Sequence, residues 1–374
     1  MIYLDNAATS YPKPRAVLDK MYYAMSQIGA SVGRSAYKSA VVAANEVYDT
    51  RERAASLFGI SKAENIIFTQ NATHALNILI KGACSFGDHV VCSDREHNSV
   101  LRPLQALSDG SVISYSIAAV DPYNDEKTVD SFLSALRKNT RMVICTHVSN
   151  VTGLILPIKK LGLMCRERGI AFAVDASQSA GLLDINMTRD NIDYLCCPGH
   201  KGLYGPQGTG ILAIGDDAPA PKPLTFGGTG TNSSQLIQPD FLPEALESGT
   251  LNVSGIIALG AGIDFVQKNM AKNREKEKIL RERIIRALAE SERVKLFESD
   301  ANAASIVAFT LKDEDIGVTA LRLAERNICI RSGLHCAPLA HKAIGSDGCN
   351  RISLGAFNTR GQVDAAVKAI LDRR

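Results

Sequence analysis

The chain has 374 residues, 45% hydrophobic and 22% charged. This is a globular composition with more chain than one ordinary core holds, so a large and a smaller folding unit are expected. Its 42 basic and 39 acidic residues leave a net charge of +3, which gives no electrostatic case for nucleic acid as a partner. No apolar run reaches the roughly 18 residues of a membrane span, and the opening Met1-Ile-Tyr-Leu-Asp-Asn6 carries no basic and apolar leader, so a cytoplasmic protein away from membranes is expected.

Residues 2–9 read as an extended arm halted by Pro12 and Pro14, with Pro14 in the first turn of a helix running to about Met25. A loop containing Gly29 and Gly33-Arg34 follows, then an amphipathic helix over about 38–58 with Val41, Ala44, Tyr48, Ala55 and Phe58 near helical spacing. From there strands and helices alternate. Strands are predicted at 66–69, 89–93, 112–116, 141–148, 171–174, 194–197 and 210–214, and helices at 73–81, 99–107, 129–138 and 158–168. Short apolar strands separated by helices predict an α/β fold with a mostly parallel sheet covered on both faces. Residues 215–255 are loop-rich, and so long a loop inside a folded unit points to function. A helix over about 254–270 then leads into a charged helix near 272–290, whose interspersed lysines, arginines and glutamates read as a solvated face. A strand at 305–311, a helix at 318–326, a strand at 351–354 and a helix at 362–371 complete a smaller α+β unit. The expected division is 15–255 for the large domain, with 1–14 and 256–374 forming the small one.

Nine cysteines are scattered without a CxxC pair, so neither a disulfide framework nor a metal site is expected. Most read as small buried hydrophobes. Cys336 stands apart in a loop rich in Gly, His and Pro.

The chemistry concentrates where apolar strands end, the usual place for a site in such a sheet. Tyr194-Leu-Cys-Cys-Pro198 delivers Lys201 between Gly199 and Gly202. An amine held there can form a Schiff base with a carbonyl cofactor; a glycine-rich turn with an exposed lysine is the plain alternative. Asp175 closes an apolar strand and needs a cationic or donor partner, either a cofactor pyridinium or an arginine. Ala72 and Thr73 open a helix after a strand, which suits either a phosphate or ordinary capping. His97 can stack on a planar ring or shuttle a proton. Asn150 suits a ring oxygen or the turn before Gly153.

The ordered set Tyr3-Leu-Asp-Asn-Ala-Ala8, Glu96-His97, His147-Val-Ser-Asn150, Val174-Asp-Ala-Ser-Gln178, Gly199-His-Lys201, Gly249-Thr250-x-Asn252, Arg331-Ser-Gly-Leu-His-Cys336 and Arg351-Ile-Ser-Leu354 spans nearly the whole chain. It resembles the cysteine desulfurases of the class V aminotransferase group, fold-type-I pyridoxal 5'-phosphate enzymes, in their short cysteine-loop form. The resemblance implies that Lys201 holds the cofactor as a Schiff base and moves the substrate Cα proton. It puts Asp175 at the pyridine nitrogen, Gln178 and Asn150 near the ring hydroxyl, and His97 over the ring. The phosphate would lie on Ala72, Thr73 and His200, with Thr250 reaching in from the second subunit of a homodimer. Arg351 and Arg331 would receive the substrate carboxylate, with Asn6 and Ala7 on the substrate side. Cys336 would take the sulfur of L-cysteine as a persulfide, releasing L-alanine and passing sulfur to an acceptor protein, with iron–sulfur cluster assembly among the destinations.

Three positions depart from the pattern. Pro198 stands where many relatives have serine or threonine, which removes one phosphate contact. Gly33-Arg34 replaces a His-Arg or similar pair, and Leu334 replaces a histidine. Selenocysteine lyase, another reaction of the same cofactor, or a non-enzymatic scaffold are the alternatives to cysteine desulfuration.

Overall fold

The computed structural model describes residues 1–33, 36–231 and 234–372; Arg34, one of the departures noted above, lies outside them. The arm β1 (Ile2–Tyr3) leads to α1 (Arg15–Tyr23), a π-helical turn at Ala24–Ile28 and α2 (Lys38–Phe58). There follow β2 (Ile66–Thr69), α3 (Ala72–Ala83), β3 (Asp88–Ser93), α4 (Asn98–Asp109), β4 (Ile113–Ala118), α5 (Asp125–Ala135), β5 (Thr140–Thr146), α6 (Ile158–Arg166), β6 (Ala171–Asp175), β7 (Tyr194–Pro198) and β8 (Gly210–Ile214). The long α7 (Val253–Ala289) connects these to β9 (Val294–Phe297), β10 (Ile306–Leu311), α8 (Ile316–Glu325), β11 (Ile328–Cys329), β12 (Arg331–Gly333), α9 (Pro338–Ala343), β13 (Cys349–Ser353) and α10 (Arg360–Leu371).

Seven strands form one sheet in the order β2-β8-β7-β6-β5-β3-β4. Within it β8 runs antiparallel to both β2 and β7, while β7-β6-β5-β3-β4 are parallel. Both faces are covered, so the strands read as continuous apolar runs. Because successive side chains alternate, each strand feeds two cores. Ile67, Val90, Ile144, Ala173, Cys196 and Leu212 pack with Leu76 and Leu79 of α3 and Leu104 of α4. Phe68, Val91, Val143, Phe172, Val174 and Cys197 pack on the other face with Phe58 of α2, Phe132 of α5, Leu161 of α6 and Leu259 of α7. The expected α/β architecture with a mostly parallel sheet is what the chain adopts. The smaller antiparallel sheet runs β12-β13-β10-β9, packed through Val307, Phe309 and Ile352 against Leu280 and Ile284 of α7, Leu323 of α8 and Val363 of α10. The arm pairs in parallel with β11.

Four sequence expectations change. The two helices expected over 254–290 are one helix of 37 residues, about 55 Å long at 1.5 Å per residue. No proline or glycine separates Ile263 from Ala289, and the charged stretch changes only what the exposed face carries. Its first turns pack Ile256 and Ile263 into one core of the large sheet, its last turns Leu280 and Leu288 into the core of the small one. The helix expected at 129–138 starts at Asp125, where Asn124 Oδ1 accepts from the backbone N–H of Glu126 and Lys127. Acidic residues open it, so an apolar period finds it late. Pro14 is the residue before α1 rather than part of its first turn. Finally, β9, β12 and α9 are too short for periodicity to reveal.

Candidate active site

The loops that leave the parallel strands at their C-terminal ends converge on one cavity. It is lined by Ala72, Thr73, His97, Asn150, Asp175, Gln178, His200 and Lys201, together with Asn71, Ser99, Thr146, Val148, Ser177 and Pro198. Its empty space, open mouth included, is about 490 Å³. Eight of the nine expected cofactor residues therefore meet in space. The ninth, Thr250, is exposed and does not line it.

Lys201 sits in a turn that only glycine permits. A Cβ on Gly202 would stand 2.2 Å from the carbonyl oxygen of Ala180, and one on Gly199 2.2 Å from Thr209 Oγ1. The turn is thus wedged against backbone rather than merely loose, and Lys201 itself is half-buried. Burial lowers its amine to about 8; Asp175 opposes that shift, while Arg351 and Arg331 add to it. Such an amine is about half neutral near pH 8, far more so than an ordinary lysine, and its neutral form is a nucleophile.

Asp175 ends β6 almost wholly buried, and its Oδ1 accepts from the Ser177 N–H at 2.9 Å. His97 caps α4: its Nδ1 accepts from the Ser99 N–H at 3.0 Å, so the proton of the neutral ring lies on Nε2. Ser99 Oγ in turn lies 2.8 Å from Thr73 Oγ1. Burial lowers His97 to about 4, with Asp175 opposing, so the ring is neutral at physiological pH.

The expected phosphate end is chemically suited to an anion. Ala72 and Thr73 are the first residues of α3, whose opening N–H groups have no partner within the helix. His200 Nδ1 is buried and without a hydrogen-bond partner among the described residues. Burial lowers the His200 ring to about 4, with Lys201 and Lys13 adding to the shift. Pro198 lies at the wall and offers no donor. An orphaned imidazole nitrogen, a helix N-terminus, a buried carboxylate and a depressed lysine together fit pyridoxal phosphate.

The substrate-side residues divide. Asn6 and Ala7 line a neighbouring cavity that shares Lys201 and Gln178 with the first. Asn6 is committed to structure, donating to Ser353 O at 3.1 Å and to Asn358 Oδ1 at 3.2 Å and accepting from the Tyr11 N–H. Ala7 O accepts from Gln178 Nε2 at 3.0 Å, which ties the arm to the site. Arg351 is 2% exposed; its Nη1 donates to Asn150 O and its Nη2 to Asp5 Oδ1, both at 2.8 Å. Its Nε is buried and unpaired among the described residues. Arg331, on β12, is exposed.

Cys336 is exposed. Its loop is fastened on both sides: Cys336 O accepts from the Asn98 N–H at 2.8 Å, and His335 O accepts from Asn150 Nδ2 at 2.7 Å. Asn98 follows His97, and Asn150 lines the cavity, so the loop is anchored to the cavity's own rim.

A family model described as aminotransferase class-V matches residues 2–366. The chain belongs to the class-V aminotransferase family. It is 32% identical to a protein named probable cysteine desulfurase from Methanothermobacter thermautotrophicus, over 97% of this chain and 92% of that one. A protein of the same name from Pyrococcus abyssi is 31% identical over 97% and 92%. Among solved structures, the apo cysteine desulfurase from Thermococcus onnurineus NA1 superposes with a TM-score of 0.90 at 29% identity, covering 99% of this chain and 93% of that one. The cysteine desulfurase CsdA from Escherichia coli, in an S-sulfonic acid form, gives 0.88 at 26% identity with the same coverage. The architecture is that of the fold-type-I enzymes of this family.

Sequence reasoning missed several contributors. Ser99 links His97 to Thr73, and a serine two residues after a capping histidine was the available signal. Lys13 donates to His200 O and Ser10 Oγ, both at 2.8 Å, and burial lowers it to about 8; between two prolines it read only as a chain break. Glu96 was quoted with His97 but given no role. It is fully buried, accepting from Ser93 Oγ and from the Thr146 N–H at 2.8 Å.

Proposed function

We propose that this chain is a pyridoxal-phosphate-dependent cysteine desulfurase that converts L-cysteine to L-alanine and collects the sulfur on Cys336. The observation that carries this reading is the cysteine loop, hydrogen-bonded to the residues that rim a cavity holding Lys201, Asp175 and His97. Pyridoxal phosphate, when bound, supplies an electrophilic carbonyl and an electron sink. Lys201 is the amine that would hold that carbonyl, and once freed it would take the proton from the substrate Cα. Asp175 is the anionic partner for the ring nitrogen. His97 presents a neutral face and an Nε2–H. The first turn of α3 and His200 receive the phosphate, and Gln178 and Asn150 lie toward the ring oxygen. Arg351, through its unpaired Nε, and Arg331 receive the substrate carboxylate, with Asn6 and Ala7 shaping that side of Lys201. The Cys336 thiolate would attack the substrate sulfur; the substrate C–S bond breaks as the S–S bond forms, its electron pair stays with the substrate Cβ, and that carbon takes up a proton, leaving a persulfide on Cys336 and alanine as the product.

Thr250 fits this scheme as a residue donated by a second copy. It lies exposed beside a segment that also exposes Phe226, Leu236 and Ile237 at 73%, 106% and 75%, which supports a homodimer. The exposed position of Cys336 supports transfer to an acceptor protein; iron–sulfur cluster assembly is one destination the family resemblance suggests, with the cytoplasm as the expected location. Among the described residues no helix is long and apolar enough to cross a membrane. The test is cysteine-dependent formation of alanine and sulfide by wild type and Cys336→Ala, with candidate acceptors added singly. Undiminished turnover in the variant rejects the persulfide route.

A further inference from the structure

We propose a second site in this protein, a buried transition-metal centre formed by His335, His341 and Cys349 directly behind the cysteine loop. His335 Nδ1 lies 3.3 Å from His341 Nε2, Cys349 Sγ lies 4.0 Å from His335 Nδ1, and the three donor atoms all fall within 4.8 Å of one another. Two imidazole nitrogens on a tetrahedral zinc ion stand about 3.3 Å apart, and a nitrogen and a thiolate about 3.5 Å. The nitrogens are thus already at chelating distance, and the sulfur needs to close by roughly half an ångström on His335 Nδ1 and by up to about 1.3 Å on His341 Nε2. All three side chains are buried, at 4%, 1% and 0% exposure.

The surroundings fix which nitrogen points inward. Ser346 Oγ donates to Gly348 O at 2.7 Å, so its oxygen is left to accept from His341 Nδ1, 3.4 Å away. The His341 proton therefore sits on Nδ1, and a bare Nε2 faces His335. An outer hydrogen bond that sets the tautomer in this way is the usual companion of a metal-bound histidine. Two imidazoles with a thiolate select a borderline-soft divalent ion of the zinc type. Binding of a divalent ion displaces the thiol proton of Cys349 to solvent, so the one thiolate offsets one of the ion's two positive charges.

The three ligands come from three elements. His335 precedes Cys336 in the loop, His341 belongs to α9, and Cys349 opens β13, two residues before Arg351. A metal here locks the sulfur-accepting loop to the strand that bears Arg351. The spacing His335-x5-His341-x7-Cys349 has no CxxC pair, which is why the sequence carried no expectation of a metal.

The test is the metal content of the full-length holoprotein expressed with zinc in the medium and dialysed, followed by cobalt exchange. The expected result is about one zinc per chain. Cobalt should give ligand-field bands to the red of the pyridoxal absorption, with a thiolate charge-transfer band in the near ultraviolet. Both signals should fall to background in Cys349→Ser. Ser346→Ala, which keeps all three ligands, should weaken zinc affinity by about 10- to 100-fold. Wild type that holds no zinc and gives no cobalt bands overturns the proposal and leaves a purely hydrogen-bonded cluster. Undiminished zinc in a folded Cys349→Ser also overturns it, because the ion would then lie elsewhere.

Discussion

Glu96→Gln tests the electrostatics beneath the site. The Glu96 carboxyl has no exposure, and burial raises it from 4.5 to about 8, opposed by its hydrogen bonds from Ser93 and Thr146. Its Oε2 has no partner among the described residues, so at neutral pH it is a buried neutral acid. The unfolded chain releases this proton near 4.5 while the folded one holds it to about 8. The folded state therefore binds more protons throughout that window, and the group's contribution to stability is lost as pH rises across it. At about 1.4 kcal/mol per unit, the full loss is on the order of 5 kcal/mol. Glutamine keeps the acceptor toward Ser93 and Thr146 but buries an amide N–H₂ where Oε2 stood, costing about 1–3 kcal/mol at every pH. Glu96→Gln should therefore be less stable than wild type near pH 5 and more stable above pH 8, with the curves crossing near pH ~6. Denaturant midpoints of both proteins in the same cofactor state, measured at half-unit steps, isolate the effect because every other titrating group is shared. A stability difference that stays flat from pH 5 to 9 refutes the buried neutral acid.

Three further outcomes follow from the same geometry. Cys336→Ser should keep the cofactor absorbance and lose at least about 100-fold in cysteine-dependent alanine formation, measured at saturating cysteine. Reconstitution of cofactor-free protein with pyridoxal phosphate should accelerate with pH, with its midpoint near pH 8 where Lys201 is half neutral and with stopped-flow absorbance as the readout; a flat profile contradicts the depressed amine. Glu247→Gln should destabilise by about 3–5 kcal/mol in denaturant melts. Glu247 accepts from both Arg51 Nη atoms at 2.7 Å and from the Phe68 N–H at 2.6 Å, with both charged side chains 5% exposed.

The strands of the large sheet were legible because burial on both faces leaves apolar runs such as Met142-Val-Ile-Cys145, and the polar residues at the end of each run and in the loop after it marked site positions. Asp175, Lys201, Thr73 and Asn150 were found in that way. The small sheet was harder, since β9 and β12 are short and β12 begins with the exposed Arg331. Arg351 lies within a buried strand, where periodicity expects an apolar side chain; only the resemblance picked it out. The charged half of α7 hid its continuity because its burial alternates between Glu277, Leu280, Arg281 and Ile284, so two ionisable residues stand where an apolar stripe would be sought. Thr250 is a different case: one copy of the chain leaves it exposed and gives it nothing to contact across the cavity.

The cysteine loop shows how little separates its held and released states. His335 and Cys336 both adopt left-handed backbone angles, φ +51° and +55°, at a cost of roughly 1–2 kcal/mol each for residues with a Cβ. Three hydrogen bonds hold that shape: the Ala337 N–H donates to Leu334 O at 2.9 Å and closes the turn, and the Asn98 N–H and Asn150 Nδ2 donate to the carbonyls of Cys336 and His335, each worth a net ~1 kcal/mol. Strain and restraint are of similar size, so loss of the Asn150 contact weakens the hold on the loop by about a third of its hydrogen bonding. Asn150 is itself held by Arg351, whose Nη1 donates to its carbonyl, and it lines the cavity with Lys201. One residue thereby joins the cavity, the arginine on β13 and the cysteine loop. A molecule that moves Asn150 or draws Arg351 away from it is expected to shift Cys336 without touching it.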